Sequence, residues 1–173
     1  METATLGGGC FWCTEAIFKR LKGVTSVISG YAGGNPSADG ENPSYENVSS
    51  GTTRHLEAIQ IEFDPSIISY EKILEVFFAT HDPTTPNRQG YDVGPQYRSA
   101  IFYHSKKQQK IAERLKKPSF VTEILPFSNF YKAEEYHQSF YDKNKSYPYC
   151  QIIINPKIQK LSEEFKNDVK KDS

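Results

Sequence analysis

The chain is poor in cysteine, tryptophan and methionine, carries no excess charge of either sign, and has no long apolar run. Three cysteines in 173 residues are too few for a disulfide scaffold. They fit a reducing compartment, here the cytoplasm, in which one or more thiols react. Lysine plus arginine and aspartate plus glutamate both number 21, a balance that argues against a surface built for nucleic acid or an anionic membrane. No apolar stretch approaches the ~20 residues of a membrane-spanning helix. The N-terminus shows no basic region followed by a long apolar segment, so no secretory signal is read. No linker or internal repeat divides the chain, and 1–173 is expected to form one domain and a monomer, long enough to bury a real core.

What is abundant is the aromatic ring: 11 Tyr and 11 Phe stand against one Trp and one Met. The single Trp lies in "GGGCFWC", residues 7–13. Around that motif the patterning reads as a short strand at Thr3 to Leu6, then a helix in "CTEAIFKRLKGV", with Ala16, Ile17, Leu21 and Val24 on one face and Gly23 as its C-cap. A strand from Thr25 to Tyr31 follows. Next comes a long Gly/Pro/Asn/Ser loop, "GGNPSADGENPSYENVSSGTT", of a length that points to function or disorder. "HLEAIQIEF" alternates as a strand, with Glu57, Ile59, Ile61 and Phe63 on one side. That places the Glu57 carboxylate on an apolar face, where it must be paired, protonated or catalytic. "SYEKILEVFFATH" is an amphipathic helix, "DPTTPNRQGYDVGPQY" a second irregular segment, "RSAIFYH" a strand and "SKKQQKIAERLKK" a polar helix. "TEILPF" and "YCQIIINPK" read as short strands, and "KAEEYHQSFYDKN" as a helix or helical turns. The tail from 158 to 173 reads as a solvated helix or a frayed end. The order βαββαβα with additions predicts an α/β (α+β) two-layer sandwich on a mixed or antiparallel sheet.

"GGGCFWC" lacks the spacing and lysine of a phosphate loop and the glycine pattern of a dinucleotide fold. Cys10 and Cys13 have the spacing of half a zinc site, but Cys150, His55, His81, His104 and His137 are scattered and unpaired, so no metal is expected. A dithiol CxxC remains open, since two cysteines three apart on a helix's first turn can meet. Cys10 falls at a strand-to-helix junction, where free N–H groups and the helix dipole favour a thiolate. The glycines before it allow a sharp turn.

The segments "GCFWCTEAIF", "GYAGG", "NPSYENVSSGTTRHLEAIQIEFDP", "FFATHDPTTPNRQGYDVGPQYRSAIFY" and "YPYCQIIINPK" together resemble the peptide methionine sulfoxide reductases of the A type, in the family's order and over about residues 3–157. The resemblance implies a ferredoxin-like core wrapped by long coil segments and a single catalytic domain. It implies an oxidoreductase that reduces the S epimer of methionine sulfoxide, free or in proteins, as a repair enzyme of oxidative stress. No bound cofactor is implied; thioredoxin, or dithiothreitol in vitro, is the reductant. Carried onto this chain, the nucleophile is Cys10, the methyl-binding aromatics are Phe11 and Trp12, the acid is Glu57, the pocket tyrosines are Tyr45 and Tyr97, and the pocket aspartate is Asp92. Two positions depart from the family pattern. Cys13 stands where the motif has glycine, and Arg54 and Leu56 flank His55 where smaller residues are common.

These assignments define a mechanism. A thiolate at Cys10 attacks the sulfoxide sulfur while Glu57, its pKa raised by burial, protonates the oxygen. Aimed hydroxyls of Tyr45 and Tyr97 stabilise the charge that develops there. Methionine leaves, Cys10 becomes a sulfenic acid, and a second thiol closes a disulfide. Cys13, one helical turn away, is favoured as first resolver, with Cys150 as direct resolver or as the second step of a relay. The competing readings are a thioredoxin-like dithiol oxidoreductase using Cys10 and Cys13, and a non-enzymatic redox or metal-binding module.

Overall fold

The computed structural model describes residues 1–171. In chain order the elements are β1 (Glu2–Gly8), α1 (Phe11–Phe18), β2 (Val24–Ala32), α2 (Pro36–Asp39), α3 (Tyr45–Ser49), β3 (Leu56–Phe63) and α4 (Tyr70–Thr80). Then follow β4 (Arg88–Gln89), β5 (Asp92–Val93), β6 (Ser99–Tyr103), α5 (Lys106–Leu115), β7 (Glu123–Pro126), β8 (Phe130–Lys132), α6 (Phe140–Lys143), a π-helical segment Cys150–Ile154 and α7 (Asn155–Glu164). The main sheet runs β7-β6-β1-β3-β2-β8. Its neighbours are antiparallel except β6 and β7, which are parallel. The inner four strands, β6-β1-β3-β2, carry the βαββαβ connectivity of a ferredoxin-like core, with α1 and α4 as its crossovers. The expected two-layer sandwich with a mixed sheet is the observed fold.

Strand β3 shows how the pattern builds the site. Ile59, Ile61 and Phe63 pack with Leu6, Phe18, Ile73 and Phe77 between sheet and helices. Leu56 and Ala58 point the other way, into a second cluster with Ala32, Ala100 and Phe102, flanked by Leu125, Phe127 and Phe130. Period two therefore delivers Glu57 to the helix-covered face, where it is 1% exposed.

Four local expectations give way. Helix α1 stops at Phe18 instead of running on to a cap at Gly23, because Leu21 is taken into a bridge with Val169. Gly23 does not cap the helix but turns the chain into β2 at a φ of 87°. The 33–53 loop contains two short helices, each started by a side chain that accepts a backbone N–H: Asn35 from Ser37 and Ser44 from Asn47. "YCQIIINPK" is not a strand. The sheet ends in β7 and β8, and the isoleucine run pairs with neither. It winds into the π-helical segment that leads to Pro156 in the first turn of α7.

The C-terminal tail is docked, not frayed. Asp168 accepts from Lys22 N–H at 2.8 Å and Lys170 N–H donates to Arg20 at 2.8 Å. The last two residues of the expected helical tail lie outside the described residues.

Candidate active site

The site begins at Gly9, whose φ of 90° lets β1 end and α1 start within one residue. A Cβ there would sit 2.6 Å from the Gln89 side chain. The Gln89 amide in turn accepts from Asp82 N–H at 2.7 Å and so fixes the second irregular segment against this turn. Cys10 follows as the N-cap of α1 and is buried.

The helix start serves two groups at once. Phe11 N–H donates to Glu57 Oε1 at 3.1 Å, and Trp12 N–H favours the Cys10 thiolate. Burial outweighs that help. Cys10 is pushed well above the ordinary thiol range by desolvation first, then by Cys13 and the Glu57 carboxylate. Cys13 moves the opposite way, to about 7, chiefly because the Cys10 thiol can donate to its sulfur, with Lys157 helping. The two shifts are opposite in direction and belong to the hydrogen-bonded pair as a whole. The helix start expected to favour a Cys10 thiolate is present, and burial and the neighbouring Cys13 act against it.

Glu57 is raised to about 8, first by burial, then by Asp92 and Cys13, against the lowering effect of the Phe11 N–H. At neutral pH it is a carboxylic acid. Its carbonyl oxygen accepts from Phe11, which leaves the other oxygen to carry the proton. Tyr45 and Tyr97 are both raised, by burial and then by Glu57, Tyr45 to about 12. Cys10 and Asp92 also act on both rings, so the two hydroxyls stay protonated. Asp92 lies on the β4–β5 hairpin and accepts from the Tyr149 hydroxyl at 2.7 Å.

Phe11 is fully buried and packs on Tyr31, Tyr45 and His137. Trp12 is half-buried, with one face flat on Phe140 at 3.6 Å between ring centroids and the rings of Tyr147 and Tyr149 edge-on to it. All three cysteines are free thiols, and Cys10, Cys13 and Cys150 lie in one buried cluster with Ala16 and Ile154. Cys150 is raised by burial. A cleft of about 600 Å³ opens onto Cys10 and Cys13 and is lined by Gln89, Asp92, Tyr149 and Lys157. A second cleft of about 570 Å³, around Glu2, Tyr70 and His104, lies away from the thiols. Among the described residues no three His, Cys, Asp or Glu side chains converge closely enough to hold a metal ion.

Several supporting residues were not singled out in the sequence. His137 accepts the Trp12 indole N–H at 3.0 Å and is kept neutral by burial. Glu134 accepts from the Tyr31 hydroxyl at 2.8 Å and from Tyr45 N–H at 3.0 Å, so the loop that carries Tyr45 is tied to the end of β8. Glu15, raised to about 6 by burial, accepts from Ser139 N–H at 2.9 Å and pins the Phe140 segment to α1. Only Tyr149 had a signal, its place beside Cys150 in "YPYC". His81 is buried, lowered to about 4 by desolvation, and bonded to Ser99 at 2.8 Å. Of the departures from the family pattern, Arg54 pairs with Asp39 at 3.1 Å, and Leu56 is buried against Gly7.

The family model for peptide methionine sulfoxide reductase matches residues 2–169. The MsrA of Sulfolobus acidocaldarius is 58% identical over 172 residues, which cover 95% of this chain and 96% of that protein. The MsrA of Thermus thermophilus is 49% identical over 96% of each. Among solved structures, reduced Mxr1 of Saccharomyces cerevisiae superposes with a TM-score of 0.76 at 38% identity, over 86% of this chain and 88% of that one. Mxr1 in complex with Trx2 matches with a TM-score of 0.51 at 28% identity, over 80% and 84%. With a family match across nearly its whole length, the chain belongs to the peptide methionine sulfoxide reductases and is a thiol-dependent enzyme that reduces methionine sulfoxide.

Proposed function

We propose that this enzyme reduces the S epimer of methionine sulfoxide, free or in proteins, with Cys10 as nucleophile, Glu57 as acid and Cys13 as the thiol that first closes the disulfide. The observation that carries the reading is the Phe11 N–H to Glu57 bond, which holds a neutral carboxylic acid one residue from the Cys10 sulfur. The sulfoxide methyl is held by the aromatic wall at Phe11 and Trp12. Tyr45 and Tyr97 donate to the oxygen as charge develops there, and Asp92 orients the remainder of the substrate.

As Cys10 attacks sulfur, its proton passes to the Cys13 thiolate and Glu57 gives its proton to the oxygen. The products are methionine, a sulfenic acid on Cys10, a neutral Cys13 thiol and the Glu57 carboxylate, so protons and electrons balance. Cys13 then displaces the hydroxyl of the sulfenic acid. Cys150, in the same buried cluster, serves as the second step of a relay. A thioredoxin-class dithiol resets the disulfide, as the pairing of the related Mxr1 with Trx2 supports. The three free thiols fit a cytoplasmic monomer built as one catalytic domain.

The test is stereochemical and chemical together. The reduced enzyme should turn over S-sulfoxides and leave R-sulfoxides untouched; equal turnover of both epimers removes the epimer assignment. Without reductant, peptide mapping during one turnover should find Cys10 joined to Cys13 first, and Cys13 joined to Cys150 once the relay completes. A dithiol oxidoreductase would instead reduce protein disulfides and leave sulfoxides intact.

A further inference from the structure

The Tyr149 hydroxyl stands between two groups of the site. It donates to Asp92 Oδ2 at 2.7 Å and lies 3.4 Å from Cys13 Sγ. A phenol has one proton to give. Given to the carboxylate, it leaves the oxygen lone pairs facing the Cys13 S–H. The three groups then form a directed chain, thiol to phenol to carboxylate. Tyr149 is fixed in that place by its ring, edge-on to Trp12 at 5.9 Å. Asp92 is not sealed in, since it lines the cleft of about 600 Å³ that opens beside Cys13 and can trade a proton with solvent.

We propose that Tyr149 and Asp92 form a proton path that deprotonates Cys13 as it attacks the Cys10 sulfenic acid. The proposal rests on Cys13 being the first resolver. It answers a need created by the first half-reaction, which leaves Cys13 as a neutral and therefore poorly nucleophilic thiol. The Cys13 proton moves to Tyr149 oxygen while the Tyr149 proton moves to Asp92. The S–S bond forms, the Cys10 S–O bond breaks, and the departing hydroxide takes a proton from the cleft to leave as water, Asp92 returning its own to solvent. After the shift the phenol donates to the sulfur and stabilises the thiolate.

The other titratable groups that act on Cys13 do not fill this place. Cys10 is the electrophile, Glu57 is tied to Phe11 N–H, Cys150 is a buried thiol, and Lys157 is a cation that favours the thiolate without accepting its proton.

The decisive measurement is the ratio of two rates in a single turnover without reductant: disulfide closure, read by loss of a dimedone-trappable sulfenic acid, over methionine release. In Tyr149→Phe that ratio should fall about tenfold or more near neutral pH, and the deficit should shrink as rising pH lets solvent remove the proton. Asp92→Asn should lower the same ratio with the same pH trend. A ratio unchanged in both variants overturns the proton path, as does a deficit that is the same at every pH, which would mark a packing role. Mapping the wild-type disulfide separates the two levels. A Cys10–Cys150 bond removes Cys13 as resolver, whereas a Cys10–Cys13 bond that still closes at full rate in Tyr149→Phe removes the path alone.

Discussion

At the scale of single residues, Glu57 decides the pH behaviour. Its acid form must be present for proton donation, and burial holds its pKa near 8. Cys13, near 7, must be ionised to accept the Cys10 proton. Sulfoxide reduction should therefore follow a bell whose alkaline limb belongs to Glu57 and whose acid limb belongs to the cysteine pair. Glu57→Gln should keep the Phe11 contact, cut the rate by roughly a hundredfold near neutral pH, and erase the alkaline limb. A retained limb near pH 8 would assign it to another group. The same shift has a stability consequence of fixed sign. The folded state holds the Glu57 proton more tightly than the unfolded chain, whose carboxyl titrates near 4.5. That stabilisation is complete below the unfolded value and is lost as pH rises through the folded one, a change on the order of a few kcal/mol. Denaturant titrations across that window should show the decline in the parent and its attenuation in Glu57→Gln. The buried acid was legible from the alternation of "HLEAIQIEF" alone. The opposite shifts of Cys10 and Cys13 were not, because they depend on how deeply both sulfurs are buried and on how they meet.

At the scale of elements, the β1–α1 junction sets the position of the nucleophile. The strand, the glycine turn and the helix start were all legible, since turn chemistry and hydrophobic period agree there. Gly9 is the element's hinge in the strict sense: its positive φ is costly for any L side chain, by about 1–2 kcal/mol, and an added Cβ also meets Gln89. Gly9→Ala should thus lower thermal stability and reduce turnover more than tenfold, with the larger loss in the catalytic step because Cys10 and the Phe11 N–H shift together. Near-parental kinetics would show that the turn can be rebuilt around a side chain. The segment Cys150–Ile154 was illegible for a different reason. Three consecutive isoleucines favour a strand locally, but Cys150 and Ile154 are buried with Cys10, Cys13 and Ala16, and that packing is a property of the finished fold. The same holds for β8, whose three residues pair with β2 only once the sheet exists.

At the scale of the whole molecule, the chain's end is sewn to the back of the catalytic helix. Beyond α7, Phe165 and Val169 pack on the main core. Val169 bridges Leu21, and Asp168 and Lys170 exchange backbone bonds with Lys22 and Arg20. The charged composition of the tail hid this, because two apolar side chains among lysines and glutamates make a weak pattern, and the partner residues 20–22 themselves read as helix. The docking fixes where α1 must stop, and so it braces the helix that presents Cys10 from the end opposite the chemistry. Removing the residues after Glu164 forfeits two partly buried apolar side chains and their backbone bonds, roughly 2–4 kcal/mol together, equivalent to a fall in melting temperature of about 5–15 °C for a domain of this size. None of these residues contacts the sulfurs, the acid or the tyrosines. Well below the new melting temperature, the truncated enzyme should therefore keep most of its turnover and the same pH bell, while inactivating sooner on heating. A truncation that melts like the parent would show that the tail rests on the surface without bearing on stability. One that loses turnover in the cold while keeping its melting temperature would mean that the brace on α1 reaches the geometry of Cys10 itself.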